Sequence, residues 1–518
     1  MIKLKKFFAV LAAALSACMF LLPLTACGGS NETVVLRVCS WEEYIDLGKW
    51  DEEDRIEIDN PYAADGEEGV FGVNSVEDDF TKWFNEEHDF GFKVRVEYST
   101  FGTNEDLYNR LSLGDVYDLV CPSDYMLMKL IAEDNYVTYS DEFWNLDNKE
   151  NYYANFVSRY IDGDNDSVFN EYDWHKKAAC YMWGTTGLVY NPEKLSSEEV
   201  SSWGLLLNEK YKRQVTIKDN VRDAYFATLG IINKDTLTGG AIDDATKSSL
   251  LNATDELTIS KAQDVLKAIK ENVYSFETDS GKSDMVTGKV LANYQWSGDA
   301  VYILDEAESD KTNPTELWYS VPDECANLWF DGWLMLKTGI DGNEQRKTAA
   351  EAFVNFLSRP DNAIRNMNYI GYSSAITDQT VFDYMEWNYG ADEDAEEVFD
   401  YDLSYLFGEG YSLSVDAANF EFSDETKTEI NRGRQLFAQY PPQNVIDRSV
   451  IMLDFGEKLG EINQMWINVR CPDLLDFSPV TVGIVAGIII ILAAAICLYS
   501  FRYRLFIKNK PKNGFERA

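Results

Sequence analysis

An α/β fold with a mainly parallel sheet is predicted by three features of this 518-residue chain. Apolar, β-branched runs alternate with amphipathic helical patterns from Val34 onward, the order that builds parallel layers. Roughly 450 residues lie between two apolar ends, enough for more than one domain or for two lobes. Pairs of aromatic and acidic residues recur where the strand patterns stop, the place where open parallel sheets bind ligands.

The elements follow in order. "VVLRVCS" is a buried strand, and "DEEDRIEIDNPYAADGEEGVFG" reads as an acidic surface insertion. In "SVEDDFTKWFNEE", Ser75 is placed to cap a helix with acids in its first turn and Phe80, Trp83 and Phe84 at helical spacing. "FKVRVEYST" alternates as a strand, "NEDLYNRLSLG" reads as a helix ending near Gly114, and "YDLVCPS" as another buried strand. A second α/β region follows: the strands "AACYMWGTTGLVYN" and "KRQVTIKDN", the helix "VRDAYFATLGII", the strand-turn-helix "KVLANYQWSGDAVYIL" and the strand "LWFDGWLMLK". The amphipathic helix "EQRKTAAEAFVNFLSRP" is expected to stop before Pro360.

Both ends predict a membrane location. Lys3, Lys5 and Lys6 precede an apolar run that closes with "LTAC", a lipoprotein signal (1–26) that predicts cleavage before Cys27 and lipidation of its sulfur. Val480 to Phe501 are 22 uncharged residues, long enough for one C-terminal transmembrane helix (480–501). The basic tail 502–518 places that end in the cytoplasm, and the chain between on the extracytoplasmic face. The whole chain has 46 basic and 88 acidic residues; without the two ends 37 and 87 remain, a net charge of about −50. Nucleic acid is excluded as a partner by such a surface, and cationic ligands are attracted. Eight cysteines at scattered spacings make no disulfide framework, and His88 and His175 as the only histidines leave little for histidine-based catalysis or metal binding.

Five places share one character. "SWEEY" offers Trp41, Glu43 and Tyr44; "CPSDY" offers Ser123, Asp124 and Tyr125; "KDNVRD" offers Asn220 and Asp223; "YQWSGD" offers Trp296 and Asp299; "LWFDGW" offers Trp329, Asp331 and Trp333. Alkylammonium groups want carboxylates for charge-assisted hydrogen bonds, and the methylenes between them want flat aromatic walls. Each pair alone is more often a packed ring beside a solvated acid; five at strand ends point to an organic cation. If strand alternation continues, Trp41 and Glu43 share one side, Glu42 turns away, and Glu43 receives a terminal ammonium.

In order along the chain, "SWEEY", "YSTFGTNEDLY", "YDLVCPSDY", "YMWGTTGLVYNPEKL", "SSWGLLLNEKYKRQV", "QWSGDA", "LWFDGW", "FLSRPDNA" and "YIGYSSA" resemble the spermidine/putrescine-binding proteins of bacterial ABC importers. The resemblance implies a two-lobed type II periplasmic-binding-protein fold with an interlobe cleft: 34–184 with 330–376 as lobe 1, and 185–329 with 377–472 as lobe 2. By position it implies ligand contacts from Trp41, Glu43, Tyr44, Ser123, Tyr125, Trp296, Trp329, Asp331 and Tyr372. It implies a non-catalytic, monomeric polyamine receptor without a cofactor that closes on its ligand and docks on ABC permease subunits served by a cytoplasmic ATPase. Where that family commonly has two acids on the second lobe, this chain has Asn220 and Asp223, which favours a di-cation over a tri-cation unless Asp124 and Asp299 point inward. The family's late cleft glutamine falls near Met452. A betaine receptor, a carboxylate-based carbohydrate enzyme and a tethered sensor are the competing readings. In "DGDNDSVFNEYD", Asp162, Asp164, Asp166 and Asp173 match calcium-loop positions, but Ser167 replaces the glycine and Asp173 the glutamate, so an acidic surface turn is the better reading.

Overall fold

The computed structural model describes residues 33–63, 68–143, 176–423 and 429–471, together with 487, 490–492, 494–496 and 498–499. The expected signal, Cys27 and the calcium-like loop lie outside the described residues, as does much of the expected span 480–501. Among the described residues no helix is long and apolar enough to cross a membrane.

One hydrogen-bonded sheet of 13 strands carries the molecule. Its first half is parallel where strand and helix alternate: β1 (Thr33–Trp41) pairs in parallel with β2 (Lys93–Phe101) and with β3 (Leu119–Val120). The helix Val76–Lys82 begins at Ser75, whose side chain accepts from the Asp78 N–H, and it buries Phe80 against Phe353 and Phe356. The helix Asn104–Leu113 ends at Gly114, which takes a left-handed φ of 102° that favours glycine. The helix before Pro360 stops where expected. The helix Glu344–Leu357 ends with Ser358 as C-cap, and Pro360 opens the next helix, Pro360–Ile370, at a position where its missing N–H costs nothing.

Two long strands run through both halves of the sheet. β4 (Ala178–Tyr190), buried at all thirteen positions, lies antiparallel to β9 (Ala326–Met335) with Gly184 opposite Trp329. The first part of β4 faces β9, which pairs in turn with β3. The second part pairs with β7 (Ala292–Trp296), and β7 pairs in parallel with β5 (Val215–Lys218), next to β6 (Ser275–Glu277). Two hydrophobic cores follow. One surrounds β1, β2, β3 and β9; the other gathers Trp203, Tyr225, Leu266 and Tyr294 around β5 and β7. The segment 377–440 straddles them. Its strand β14 (Ile430–Gly433) bonds to β8 (Trp318–Ser320), itself paired with the second part of β4, while Tyr401, Phe437 and Tyr440 join the first core.

The packing of β4 against β9 demands a glycine at position 184. A Cβ on Gly184 would meet Ser297 Oγ at 2.2 Å and Trp329 Cζ2 at 2.8 Å. Gly184→Ala should therefore destabilise the fold by about 1–3 kcal/mol through overpacking. Gly102→Ala, with nothing within 4 Å of its Cβ, should stay within about 0.5 kcal/mol. Urea unfolding midpoints of the two variants check this, and equal midpoints would contradict the packing argument.

Candidate functional site

Alternation along β9 puts Trp329, Asp331 and Trp333 on one face. Trp333 is taken up by the first core, against Tyr181 and Phe353. Asp331 is only 5% exposed, and its Oδ2 accepts from the Tyr44 O–H at 2.5 Å. Ser123 meets it across an antiparallel bridge. Burial pushes the Asp331 carboxyl up to about 6, with Tyr44, Ser123 and Trp41 opposing the rise. Of these only the Tyr44 contact reaches hydrogen-bond geometry; Asp331 Oδ1 and Trp41 Nε1 are buried without a partner among the described residues. Trp41 ends β1 and packs against Phe101 at 4.7 Å. The strand stops there, so alternation does not reach Glu43, which takes a positive φ of 52° and is exposed, as is Glu42.

Asp124 opens the helix Asp124–Ala132 and is fully buried. Its Oδ1 accepts from the Tyr125 N–H at 2.6 Å, while Oδ2 has no partner among the described residues. Burial, with the nearby Asp331 charge adding to it, raises its carboxyl well above the usual range. Asn104 ties the neighbouring groups together, donating to Ser123 Oγ and to the Tyr125 hydroxyl while accepting from the Ser123 N–H. The Tyr125 hydroxyl in turn donates to Glu105 at 3.3 Å.

The second lobe supplies the facing wall. Asn220 caps the helix Val221–Thr238 by accepting from the N–H groups of Arg222 and Asp223, so its carbonyl oxygen is already engaged. Asp223 is 1% exposed with Oδ1 unpartnered. Burial lifts it to about 7; Lys218 and the Trp296 indole draw it back, and the charge of Glu105 on the other lobe adds to the rise. Arg222 joins the lobes: its guanidinium lies 3.6 Å over the Tyr125 ring and donates to Leu453 O and Asp454 Oδ1. At the end of β7, the Trp296 ring carries the Lys218 ammonium at 3.9 Å. Asp299 is ion-paired, with Lys282 at 2.9 Å and Lys218 at 3.8 Å. Tyr372 lies between the two walls. It packs edge-on against Trp329 at 5.0 Å and Tyr44 at 6.0 Å, and burial together with the charges of Asp299 and Asp331 raises its hydroxyl well above the ordinary tyrosine value. Only a glycine at 298 lets the Tyr372 ring come so close, since a Cβ there would meet the ring at 2.2 Å.

The structure thus gathers Trp41, Tyr44, Ser123, Asp124, Tyr125, Asp223, Trp296, Asp299, Trp329, Asp331 and Tyr372 around one interlobe region. Asn220 serves as a helix cap, Glu43 sits at the exposed rim, and Met452 is buried in the second core. Sequence reading passes over Asn104, Glu105, Lys218, Arg222 and Lys282. Arg222 had a signal: a cation in the first turn of a helix opposes the macrodipole and needs a compensating partner.

Rings and buried acids thus collect where the two hydrophobic cores meet along the long strands β4 and β9. The chain belongs to the bacterial extracellular solute-binding protein family, whose model matches residues 79–380. It is 27% identical over 281 residues to the spermidine/putrescine-binding periplasmic protein of Salmonella typhimurium, covering 54% of this chain and 70% of that protein. It is 28% identical over 297 residues to the putrescine-binding periplasmic protein PotF of Escherichia coli, covering 54% and 71%. In fold it is similar to a putative spermidine/putrescine ABC transporter structure from Listeria monocytogenes, with a TM-score of 0.54 at 20% identity over 85% of this chain and 99% of that one.

The Asp331 carboxyl has a sign that can be tested. It titrates at about 6 in the fold against about 3.9 unfolded. The folded chain therefore holds the proton more tightly, and the group costs stability as pH rises through that window. Asp331→Asn removes the cost. Its stability relative to wild type should rise by up to about 3 kcal/mol between roughly pH 4 and pH 7. Denaturant unfolding at several pH values measures this; a flat difference would refute the assignment.

Proposed function

We propose that this chain captures a linear polyamine in the interlobe cleft, without transforming it, and delivers it to an ABC permease on the extracytoplasmic side of a membrane. The observation that carries the reading is the set of buried carboxylate oxygens without partners: Asp124 Oδ2, Asp223 Oδ1 and Asp331 Oδ1. A buried acceptor left unsatisfied costs free energy that an incoming N–H donor recovers. Primary ammonium groups supply several such donors with a positive charge; a quaternary amine supplies the charge but no N–H. Trp41, Trp296, Trp329 and Tyr372 present apolar surface for the methylenes between the ammonium centres. The names of the related proteins support the same ligand class.

Membrane attachment through Cys27 and the 480–501 segment, with the tail 502–518 in the cytoplasm, belongs to this proposal, as do the permease partners, their ATPase and a monomeric state. The division of the lobes at Gly184–Thr185 is proposed on the same footing. A carbohydrate enzyme is not favoured, since the family is one of solute-binding proteins and the relatives named above are transport receptors.

Two outcomes test the reading. Putrescine or spermidine should raise the melting temperature of the purified chain, as a ligand that binds only the folded state does. Asp331→Asn should weaken that binding by roughly 2–5 kcal/mol. Affinity should also depend on pH in one direction. Asp331 and Asp223 titrate at about 6 and about 7, while ligand amines stay protonated to about pH 10. Binding should tighten from pH 5 to pH 8, by up to about tenfold per pH unit for each carboxylate that must ionise. Calorimetric titration at fixed ionic strength gives the slope, and affinity that is flat or falls with pH would count against these acids as ammonium sites.

A further inference from the structure

Four buried or half-buried aspartates face the cleft, but they are not equivalent. Asp124, Asp223 and Asp331 each keep one buried oxygen without a partner. Asp299 has an ammonium on each oxygen: Lys282 lies 2.9 Å from Oδ1 and Lys218 lies 3.8 Å from Oδ2. Asp299 nonetheless belongs to the same cleft. It follows Gly298, against which the Tyr372 ring packs, and its charge acts on the Tyr372 hydroxyl together with that of Asp331. Lys218 is fully buried, donates to Thr278 O at 3.0 Å and covers the Trp296 ring, so it is a fixed part of the wall. Lys282, on the helix Ser280–Val286, is different. Its side chain is 25% exposed, and it comes under the charges of both Asp299 and Glu43, the rim acid of the other lobe. Desolvation pulls its ammonium down, but Asp299, Asp279 and Glu43 hold it above the ordinary lysine value, so it is charged at neutral pH.

On the polyamine reading above, we infer that Lys282 is a specificity-determining residue: its ammonium occupies the Asp299 station in place of a ligand ammonium, so the cleft selects a diamine over a triamine. Two stations remain open. One is formed by Asp331 and Asp124 with the Tyr44 hydroxyl beside them, the other by Asp223 facing Glu105 across the lobes. A third ammonium on a longer ligand would have to displace Lys282 from a 2.9 Å ion pair or approach it as a like charge. Either event costs the longer ligand the gain that its extra charge would otherwise bring.

The test uses the purified full-length chain, titrated calorimetrically with putrescine and with spermidine. Wild type should bind putrescine at least as tightly as spermidine. Lys282→Met removes the ammonium, keeps much of the side-chain volume and frees Asp299 Oδ1, with Lys218 still near Oδ2; it should shift the spermidine-to-putrescine affinity ratio by roughly tenfold or more toward spermidine. Lys282→Gln should shift it the same way, which keeps the test alive if the Met variant does not fold, and Lys282→Arg should keep the wild-type ratio. Adding Asp299→Asn to Lys282→Met should cancel the shift, an effect that a general loosening of the rim would not produce. An unchanged ratio in both neutral variants, with putrescine still bound, overturns the role of Lys282 and leaves the polyamine reading intact. Binding of neither amine to wild type overturns both.

Discussion

The pairing of β4 with β9 is the constraint on which the rest depends. These strands lie antiparallel with Gly184 opposite Trp329, and β4 contributes side chains to both hydrophobic cores. Because they are buried along their whole lengths, neither can shift register without turning a row of core side chains into the cleft. That pairing fixes where Trp329 and Asp331 emerge. It also brings Ser297 against Gly184, and so sets the start of the helix Ser297–Ser309 that carries Gly298 and Asp299. The walls of the cleft are therefore placed by backbone register and not by surface loops alone.

The site built on this frame is under electrostatic tension. Burying a carboxylate favours its neutral form, and Asp331 and Asp223 are pushed to about 6 and about 7 for that reason. The protein relieves the tension unevenly. Asp299 receives the protein's own cations, Lys218 and Lys282; Asp331 receives the Tyr44 hydroxyl and Asp124 the Tyr125 N–H, and no lysine or arginine is seen paired with Asp331 or Asp124 among the described ion pairs. Arg222, stacked on Tyr125 and bonded to Asp454, is a cation whose charge acts on both Asp124 and Asp223.

Much of the fold was legible in the sequence because strand and helix periods are local properties. β1, β2, the capped helix after Ser75 and the helix that ends at Gly114 all stand where their patterns put them. The helix stop before Pro360 was legible too, since proline cannot continue a helix, but that the same proline opens the next helix depends on the chain's path beyond it. The aromatic and acidic residue types of the cleft were legible as well, since strand ends are where such residues can leave the core. Their orientation was not. Glu43 lies past the last residue of β1 with a left-handed backbone, so strand alternation cannot describe it. Asn220 was open to reading as a ligand contact until its side chain was seen to cap a helix.

Composition and pattern alone favoured one class of ligand: a chain of about −50 between its apolar ends, with rings and acids paired at strand ends, suits an organic cation. Sequence order also determined the family, because its motifs occur one after another along the chain. Tertiary structure alone decided how many acids are left for a ligand. Asp299 and Lys282 are 17 residues apart with β7 between them, and nothing in either local pattern says that they pair. Charge neutralisation depends on distances across the fold, and the strength of an ion pair follows separation and burial, which one-dimensional order does not encode.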